Sequence, residues 1–252
     1  MPGEINGRMP CAKQHIIQQL QKDILALQGF KNLPADMATD TGLGIITKSF
    51  PNNIFPLGAV HEFISNEKEE AAATIGFVSG LLAALMKGGK ACVWISNTRT
   101  VFPPALKIFG VPPDQIIFID LLCEKDLLWA MEESLKCEGL AAVIGEIKEI
   151  SFTASRRLQL VVEQSRVTGF LLRHQPKNLN TIAAVSRWKI MPVPSEAADD
   201  IPGTGFPRWQ VELSKILNGK PGSWQLEWSA GSFRHIYKNI PVLPQEQRRK
   251  TG

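Results

Sequence analysis

Residues 58–86 constrain the fold of this chain more than any other part of the sequence. Residues 59–64 form a short apolar run that follows a Pro and a Gly, which is typical of a buried strand. From residue 71 to residue 86 the apolar side chains recur at helical spacing on nearly every side, until a Lys-Gly-Gly sequence ends the pattern. The sequence therefore predicts a strand, a short polar loop and a buried helix, as in nucleotide-binding α/β proteins.

The predicted loop lacks the residues that bind phosphate. A Walker A loop needs glycines whose backbone N–H groups surround the phosphates, a Lys for the terminal phosphates and a Ser or Thr for magnesium. Counted from the end of the strand, these positions fall near Glu70, Ala71 and Ala72. We interpret Glu69 and Glu70 as ordinary first-turn acids of the helix, and carboxylates here would repel a triphosphate. The degenerate nucleotide loop comprises Ser65, Asn66, Glu67, Lys68, Glu69, Glu70, Ala71 and Ala72.

Two further elements of a nucleotide hydrolase are missing. The strand at 141–144 would end in the Walker B Asp that binds magnesium, but only Glu146 lies nearby, one residue late. The strand at 91–96 is followed by Asn97 and Thr98 rather than by a Glu that positions the attacking water. Phosphoryl transfer depends on positioning and charge neutralisation, so the loss of all three elements argues against hydrolysis. We predict a protein that is not an enzyme, with no catalytic residue, cofactor or metal.

Strand and helix patterns alternate regularly after the first helix. Apolar strands are predicted at 91–96, 115–119, 141–144 and 169–174, separated by helices at 104–109, 126–137 and 153–167. From residue 181 the pattern changes to short aromatic-rich runs without helices, at 183–192, 209–213 and 224–228. The predicted fold is α/β: a mostly parallel sheet flanked by helices, with added antiparallel strands on its C-terminal side.

Three regions are predicted along the chain. Residues 1–54 form an N-terminal helix and linker, residues 55–232 the core domain, and residues 233–252 a basic C-terminal tail. The N-terminal helix covers 12–28 and has one apolar face. Such a helix can pack on its own domain or dock on a partner, and the first option is favoured.

Composition narrows the class of protein. A net charge of +4 and a pI near 8.9 permit contact with nucleic acid without requiring it. The four cysteines show neither a C-x-x-C pairing nor a zinc-ligand spacing, which favours a cytoplasmic protein without disulfides. The apolar run at 75–86 is too short to span a bilayer, and the N-terminus lacks the apolar core of a signal peptide, so no membrane role is expected.

Polar candidates outside the loop are less specific. His15, His61, His174 and His235 lie in no ligand motif and are expected to be structural or exposed. A basic turn flanked by tryptophans and a basic tail can contact phosphate, DNA or an acidic partner, although a solvated surface is the favoured interpretation. The candidate contact residues are Lys215, Lys220, Trp224, Arg234, Lys238, Arg248, Arg249 and Lys250.

Several segments, taken in order, resemble the ImuA family. They include FPLGAVHEF, GLLAALMKGGKACVWIS, FPPALKIFGVPPDQIIFID, AAVIGEI, FTASRRLQLVVEQSRVTGFLLR, SRWKI and RWQVELSKILNGKPGSWQLEW, within residues 55–228. The resemblance implies a RecA-like fold without the ATP chemistry of RecA, and a role as an adaptor in SOS-induced error-prone translesion DNA synthesis. The partners that it implies are an ImuB-type polymerase-like protein, RecA and an error-prone DNA polymerase. Contact with DNA and formation of a homo-oligomer are left open.

Two alternatives stay open beside the adaptor. The first is a weak RecA-like ATPase in which Glu146 binds magnesium and Lys68, or Lys220 of a neighbouring copy, replaces the missing lysine. The second is a cell division inhibitor like SulA, a related RecA-like protein without ATPase residues. The turn at 215–224 also resembles the basic turn that reaches a neighbour's phosphate in RecA-like motors. Their Lys-x-Arg is replaced here by Lys215, Ile216 and Leu217, so this element is incomplete.

Overall fold

One mixed sheet organises the protein. The computed structural model describes residues 39–195 and 205–236, together with Leu20. In these residues the strand order across the sheet is β3-β2-β4-β5-β1-β6-β7-β8-β9. The first six strands along the chain are parallel, and β7, β8 and β9 follow β6 in antiparallel order. The strands are β1 Val60–Ser65, β2 Cys92–Ser96, β3 Ile116–Asp120, β4 Ala142–Glu146, β5 Thr168–His174, β6 Ser186–Val193, β7 Arg208–Ile216, β8 Gly222–Ser229 and β9 Ser232–His235.

In the two described ranges, 39–195 and 205–236, three α-helices cover the two faces of the sheet. α1 (Lys68–Leu85) packs against β1 and β6 on one face. On the other face α2 (Glu124–Leu135) lies on β2 and β4, beside α3 (Phe152–Ser165) on β1 and β5. The parallel strands β1, β2 and β4 are buried along their whole length, as expected for a sheet covered on both sides. The prediction of a mostly parallel α/β sheet with antiparallel C-terminal strands is confirmed.

Helix α1 is apolar on most sides because it is enclosed by other elements. It lies between the sheet and the 3-10 helix Pro103–Phe109. A Cβ at Gly80 would lie 2.6 Å from Cζ of Phe233 and 2.8 Å from Cζ3 of Trp228, so β8 and β9 approach the helix where it has no side chain. The segment Lys68–Gly88 has the length and apolarity of a membrane span, more than the run at 75–86 indicated, and most of it is buried in this core.

A buried network of ions joins the three central strands. Arg173 on β5 donates from Nη1 to Oε1 of Glu62 on β1 at 2.7 Å, and Arg187 on β6 donates from Nε to Oε2 at 2.5 Å. The side chains of Arg173 and Glu62 are 0% and 1% exposed. Arg173 also donates to the backbone carbonyl groups of Lys148 and Asn178, so its donors are satisfied inside the protein.

The predicted domain boundaries are too narrow at both ends. Phe233 belongs to the predicted basic tail, but it lies in β9 and is buried against β8 and α1. At the other end, residues Gly44–Ser49 form a 3-10 helix that contributes to the same core. The predicted linker shows no helical or strand period because it is rich in Gly and Pro. Its buried apolar side chains in and beside this 3-10 helix are Leu43, Ile46 and Phe50. The core therefore extends over both predicted boundaries.

Two further predictions have a different outcome. The helix expected at 104–109 is a 3-10 helix, Pro103–Phe109, because two prolines begin it and Gly110 ends it in the left-handed region at φ 78°. The amphipathic helix predicted at 12–28 lies outside the described residues apart from Leu20, which is helical and exposed.

Candidate functional site

The connection between β1 and α1 is too short to enclose a phosphate. Only Asn66 and Glu67 separate Ser65, the last residue of β1, from Lys68, the first residue of α1. The Asn66 backbone N–H donates to Oε2 of Glu70 at 2.7 Å. A phosphate-binding loop places several residues between its glycines and directs its N–H groups to the ligand. Here the loop is tight, and a carboxylate of the protein already accepts one of its donors.

Glu70 fixes the start of α1. As well as Asn66, it binds Lys189 on β6, with Nζ 3.1 Å from Oε1. Burial alone would raise the pKa of Glu70, but the Asn66 and Lys189 contacts outweigh it and lower the pKa below the ordinary value. Glu69 and Glu70 are in the first turn of α1, as predicted. The two acids thus stabilise a helix start, as first-turn carboxylates commonly do.

A cleft of about 490 Å³ lies between α1 and α2, at the carboxyl ends of the parallel strands. In open α/β sheets this end of the strands is the usual place for a ligand, and the volume lies in the range of small-molecule sites. Its apolar lining residues are Ala71, Ala72, Ile75, Leu127 and Leu172. Its polar and charged lining residues are Ser65, Glu67, Lys68, Asn97, Thr98, Thr100, Glu124, Glu146, Lys148, His174 and Gln175.

Glu146, the last residue of β4, places a carboxylate at the base of the cleft. Its Oε1 accepts from Nε1 of Trp94 at 2.8 Å, and its Oε2 accepts from Oγ1 of Thr100 at 3.4 Å. The side chain is only 4% exposed. Burial raises the pKa of Glu146, and the two hydrogen bonds oppose part of this rise. Within the described chain, His174 is the basic side chain that comes within 4.0 Å of this carboxylate.

His174 ends β5 beside this carboxylate. Its Nδ1 is 2.6 Å from Oγ of Ser65, and its Nε2 is 4.0 Å from Oε2 of Glu146. Burial lowers the pKa of His174, so the imidazole is neutral at pH 7. Ser65 is only 1% exposed. The contact with His174 therefore orders Ser65, a lining residue of the cleft, in a buried position.

Asp120, from the neighbouring strand β3, lies beside the end of β2. Oγ of Ser96 donates to Oδ1 of Asp120 at 3.4 Å, and Arg99 pairs with Oδ2 at 2.5 Å. A carboxylate that positions water was not found after β2 in the sequence. The structure brings one to this place from another strand, but Arg99 already neutralises it.

The loop residues and the basic candidates do not form a single site. Lys215, Lys220 and Trp224 lie around the β7–β8 turn, at the end of the sheet opposite the cleft, since β7 runs antiparallel to β6. Lys220 is exposed, and its backbone N–H donates to the carbonyl of Ser49 at 2.9 Å, which fixes the turn. Arg234 lies on β9 opposite Glu227, away from that turn. Four further candidates lie outside the described residues: Lys238, Arg248, Arg249 and Lys250.

His61 and His235 are structural. Nε2 of His61 donates to the carbonyl of Pro56 at 2.7 Å, so Nδ1 accepts from the Ser186 hydroxyl at 2.6 Å. Ser186 Oγ in turn accepts from Nε1 of Trp188 at 2.7 Å. His235 binds the carbonyl of Leu43 through Nε2 at 2.9 Å and links β9 to the N-terminal 3-10 helix.

The described residues contain no group of three or more His, Cys, Asp or Glu side chains that could hold a metal ion. Cys92 is buried, and burial raises the pKa of its thiol to about 12, whereas Cys123 and Cys137 are exposed free thiols.

The sequence interpretation missed Trp94, Thr100 and His174 as partners of Glu146. The signal that could have found His174 is its place at the carboxyl end of a parallel strand.

Comparison with solved structures defines the class of fold. A crystal structure of the RadB recombinase superposes on 79% of this chain and 100% of its own chain, with a TM-score of 0.55 at 11% sequence identity. The protein therefore has a RecA-like fold. Among curated sequences, Protein ImuA from two strains of Caulobacter vibrioides is 35% identical over 208 residues, which cover 77% of this chain and 85% of the relative. The chain belongs to the ImuA family.

A weaker similarity connects the chain to a second kind of protein. The cell division inhibitor SulA of Photorhabdus laumondii is 26% identical over 103 residues, 41% of this chain and 58% of that protein. No protein-family model matches the chain.

Proposed function

We propose that this protein is a non-catalytic RecA-like adaptor in SOS-induced error-prone translesion DNA synthesis, acting in the cytoplasm. The observation that carries the proposal is the 35% identity to ImuA proteins over 208 residues. The shape of the β1–α1 connection supports the absence of ATP chemistry. Its two loop residues leave no room for a phosphate cradle, and Glu70 takes up the Asn66 N–H.

Electrostatics add to this argument against nucleotide. Glu67, Glu69 and Glu70 lie at the start of α1, where a bound triphosphate would need positive charge. Lys189 is already paired with Glu70, and Lys68 is an exposed side chain at the rim of the cleft. Like charges at contact distance cost about 1 kcal/mol even in bulk water, and more near a protein surface. A nucleotide would therefore meet repulsion where it needs neutralisation.

The partner in this proposal is an ImuB-type polymerase-like protein, with RecA and an error-prone DNA polymerase as further members of the same assembly. DNA contact through the turn at Lys215 and Lys220, and self-association, are secondary features of the same adaptor. To test the proposal, the tagged full chain is co-expressed with the ImuB-type protein of its own genome and purified at micromolar concentration. A stoichiometric complex is expected, and the absence of any complex would contradict the adaptor role.

Inhibition of cell division is a second candidate, which the similarity to SulA supports. Expression of the chain in dividing bacteria separates the two functions. An adaptor leaves cell length unchanged, whereas a division inhibitor produces filaments without DNA damage. Filaments that form in the absence of the ImuB-type partner would favour the second candidate.

A further inference from the structure

We propose that the cleft between α1 and α2 binds an arginine side chain of a partner protein, with its guanidinium group on the carboxylate of Glu146. The inference rests on the proposed function in one respect, namely that this chain acts by binding other proteins. It gives the cleft a ligand class other than nucleotide.

The hydrogen bonds of Glu146 leave acceptor capacity on both oxygens. An ionised carboxylate offers about four lone-pair sites. Trp94 occupies one site on Oε1 and Thr100 one site on Oε2, so each oxygen keeps a second site. A guanidinium group donates two parallel N–H bonds with the spacing of a carboxylate, which a lysine ammonium cannot do. The two existing contacts also hold the carboxylate in a fixed orientation for this partner.

Burial without a close cation makes Glu146 a site that attracts one. Isolated charges in an apolar environment are costly, and opposite charges compensate for that cost. The charged residues Arg99 and Asp120 pair with each other, and His174 is neutral at pH 7 and 4.0 Å away. A cation from a partner protein would therefore supply the opposite charge that Glu146 lacks among the described residues.

The walls of the cleft suit the arginine stem. The apolar lining of the cleft comes from α1 (Ala71, Ala72 and Ile75), from α2 (Leu127) and from β5 (Leu172). Arginine buries its three methylene groups along apolar surface while its head makes polar contacts. Ala71 and Ala72 add little side-chain volume to the α1 wall of the cleft.

The charged side chains at the rim of the cleft do not determine whether the ligand is positive or negative. Lys68 and Lys148 are both exposed, as are Glu67 and Glu124, so the two lysines are balanced by two glutamates. Solvent and salt screen all four of them. The acidic group at the base of the cleft is the buried side chain of Glu146, which is only 4% exposed. The cleft therefore selects a cation at depth.

The test uses the free amino-acid group, so it does not depend on the identity of the partner. N-acetyl-arginine amide is titrated into the ¹⁵N-labelled full chain at pH 7 and constant ionic strength. The indole N–H resonance of Trp94 is followed by NMR, because this group donates to Glu146. The matched probe is N-acetyl-citrulline amide, which has the same shape without the charge. We expect a saturable shift with the arginine probe and none with the citrulline probe.

Variants locate the binding. Glu146→Gln keeps an acceptor for Trp94 but removes the acidic group. It should lower the affinity for the arginine probe about tenfold or more. Ala71→Phe narrows the cleft from the α1 side without altering Glu146. It should weaken binding of the arginine probe to a similar degree. Glu138→Gln removes the same charge at an exposed position outside the cleft and should change the affinity by about twofold at most. Dispersed NMR spectra of each variant establish that it is folded.

Several outcomes would overturn the inference. They are equal binding of citrulline, unchanged binding to Glu146→Gln, a Trp94 shift produced at lower concentration by magnesium or by ADP, and a dimer of the chain that Glu146→Gln abolishes. If the arginine probe binds as expected while no complex with the ImuB-type protein forms, the adaptor proposal fails and the cleft assignment stands. If the complex forms but the arginine probe does not bind, the cleft inference is overturned and the adaptor proposal stands.

Discussion

At the scale of single residues, the protein buries polar side chains whose hydrogen-bond partners are other groups of the protein. His61 is 0% exposed and makes both of its ring hydrogen bonds in one tautomer, to Pro56 and Ser186. Protonation would add a second donor at Nδ1, where the Ser186 hydroxyl already donates. The imidazole is thus held in its neutral form by its position on β1.

This histidine should make stability depend on pH. Burial lowers the pKa of His61 from 6.5 to about 4, partly offset by the Pro56 hydrogen bond. Below pH 6.5 the unfolded chain takes up a proton that the folded chain refuses until about pH 4, so stability is complete above pH 6.5 and decreases as the pH falls. The loss from this residue should reach about 3 kcal/mol.

Urea unfolding between pH 7 and pH 4 measures this dependence. The His61→Gln variant should show a smaller decrease in the free energy of unfolding than the wild type. Burial also lowers the pKa of His174, so this residue contributes to the pH dependence of stability with the same sign. The His174→Gln variant is therefore the comparison for His61→Gln. Identical pH profiles for the wild type and His61→Gln would contradict the assignment of a neutral buried imidazole.

At the scale of elements, the regular strands and helices could be predicted from the sequence. The way in which short elements pack into the core could not. The buried parallel strands are contiguous apolar runs, and α1 to α3 have clear helical spacing, so the sequence reveals them. β9 has only four residues after the turn at Ala230 and Gly231, and the short 3-10 helix Gly44–Ser49 has no long period. β9 joins the core by packing against α1, and the 3-10 helix joins it through contacts with β8 and β9, which no local pattern encodes.

The candidate site shows the same limit. The missing phosphate-binding residues could be read from the order of residues 65–72 alone. That Trp94, Thr100 and His174 surround Glu146 depends on β4 lying between β2 and β5. Sequence patterns indicate strands but do not fix their order in the sheet. The base of the cleft was therefore beyond prediction.

Helix α1 supplies a prediction about close packing. Gly80→Ala gains about 1 kcal/mol of helix propensity, but its new Cβ would lie less than 3 Å from the rings of Phe233 and Trp228. Because overpacking of a core costs about 1–3 kcal/mol, the variant should be less stable than the wild type. Chemical unfolding measures the change. Gly88→Ala has open space and serves as control; equal stability for both variants would contradict the packing of α1 on β8 and β9.

The ion network between β1, β5 and β6 supplies a second prediction at this scale. Glu62→Gln would leave Arg173 and Arg187 without their shared carboxylate, and Arg173 has no exposed surface. Removing one partner of a buried pair costs about 3–5 kcal/mol. Glu149 also contacts Arg173, at 3.4 Å, but its side chain is 37% exposed. Glu149→Gln should therefore cost much less in the same unfolding experiment, and a reversed order of the two variants would argue against the network.

At the scale of the whole molecule, the protein combines a RecA-like sheet with an ordinary helix start after β1. The strand order positions a cleft at the carboxyl ends of the strands, as in proteins that bind nucleotides there. The β1–α1 connection, however, is tight and acidic, and the carboxylate at the base of the cleft has no close cation among the described residues. The fold is RecA-like, and carboxylic acid side chains lie at the helix start and at the base of the cleft, where a triphosphate would need positive charge.

Isothermal titration calorimetry of ATP with magnesium into the full chain tests this central claim most directly. An ATP-binding recombinase of RecA-like fold, measured in the same buffer, serves as the positive control. We expect the control to bind ATP and the full chain to give no saturable heat up to millimolar nucleotide. Saturable, magnesium-dependent binding of ATP to the full chain would contradict it.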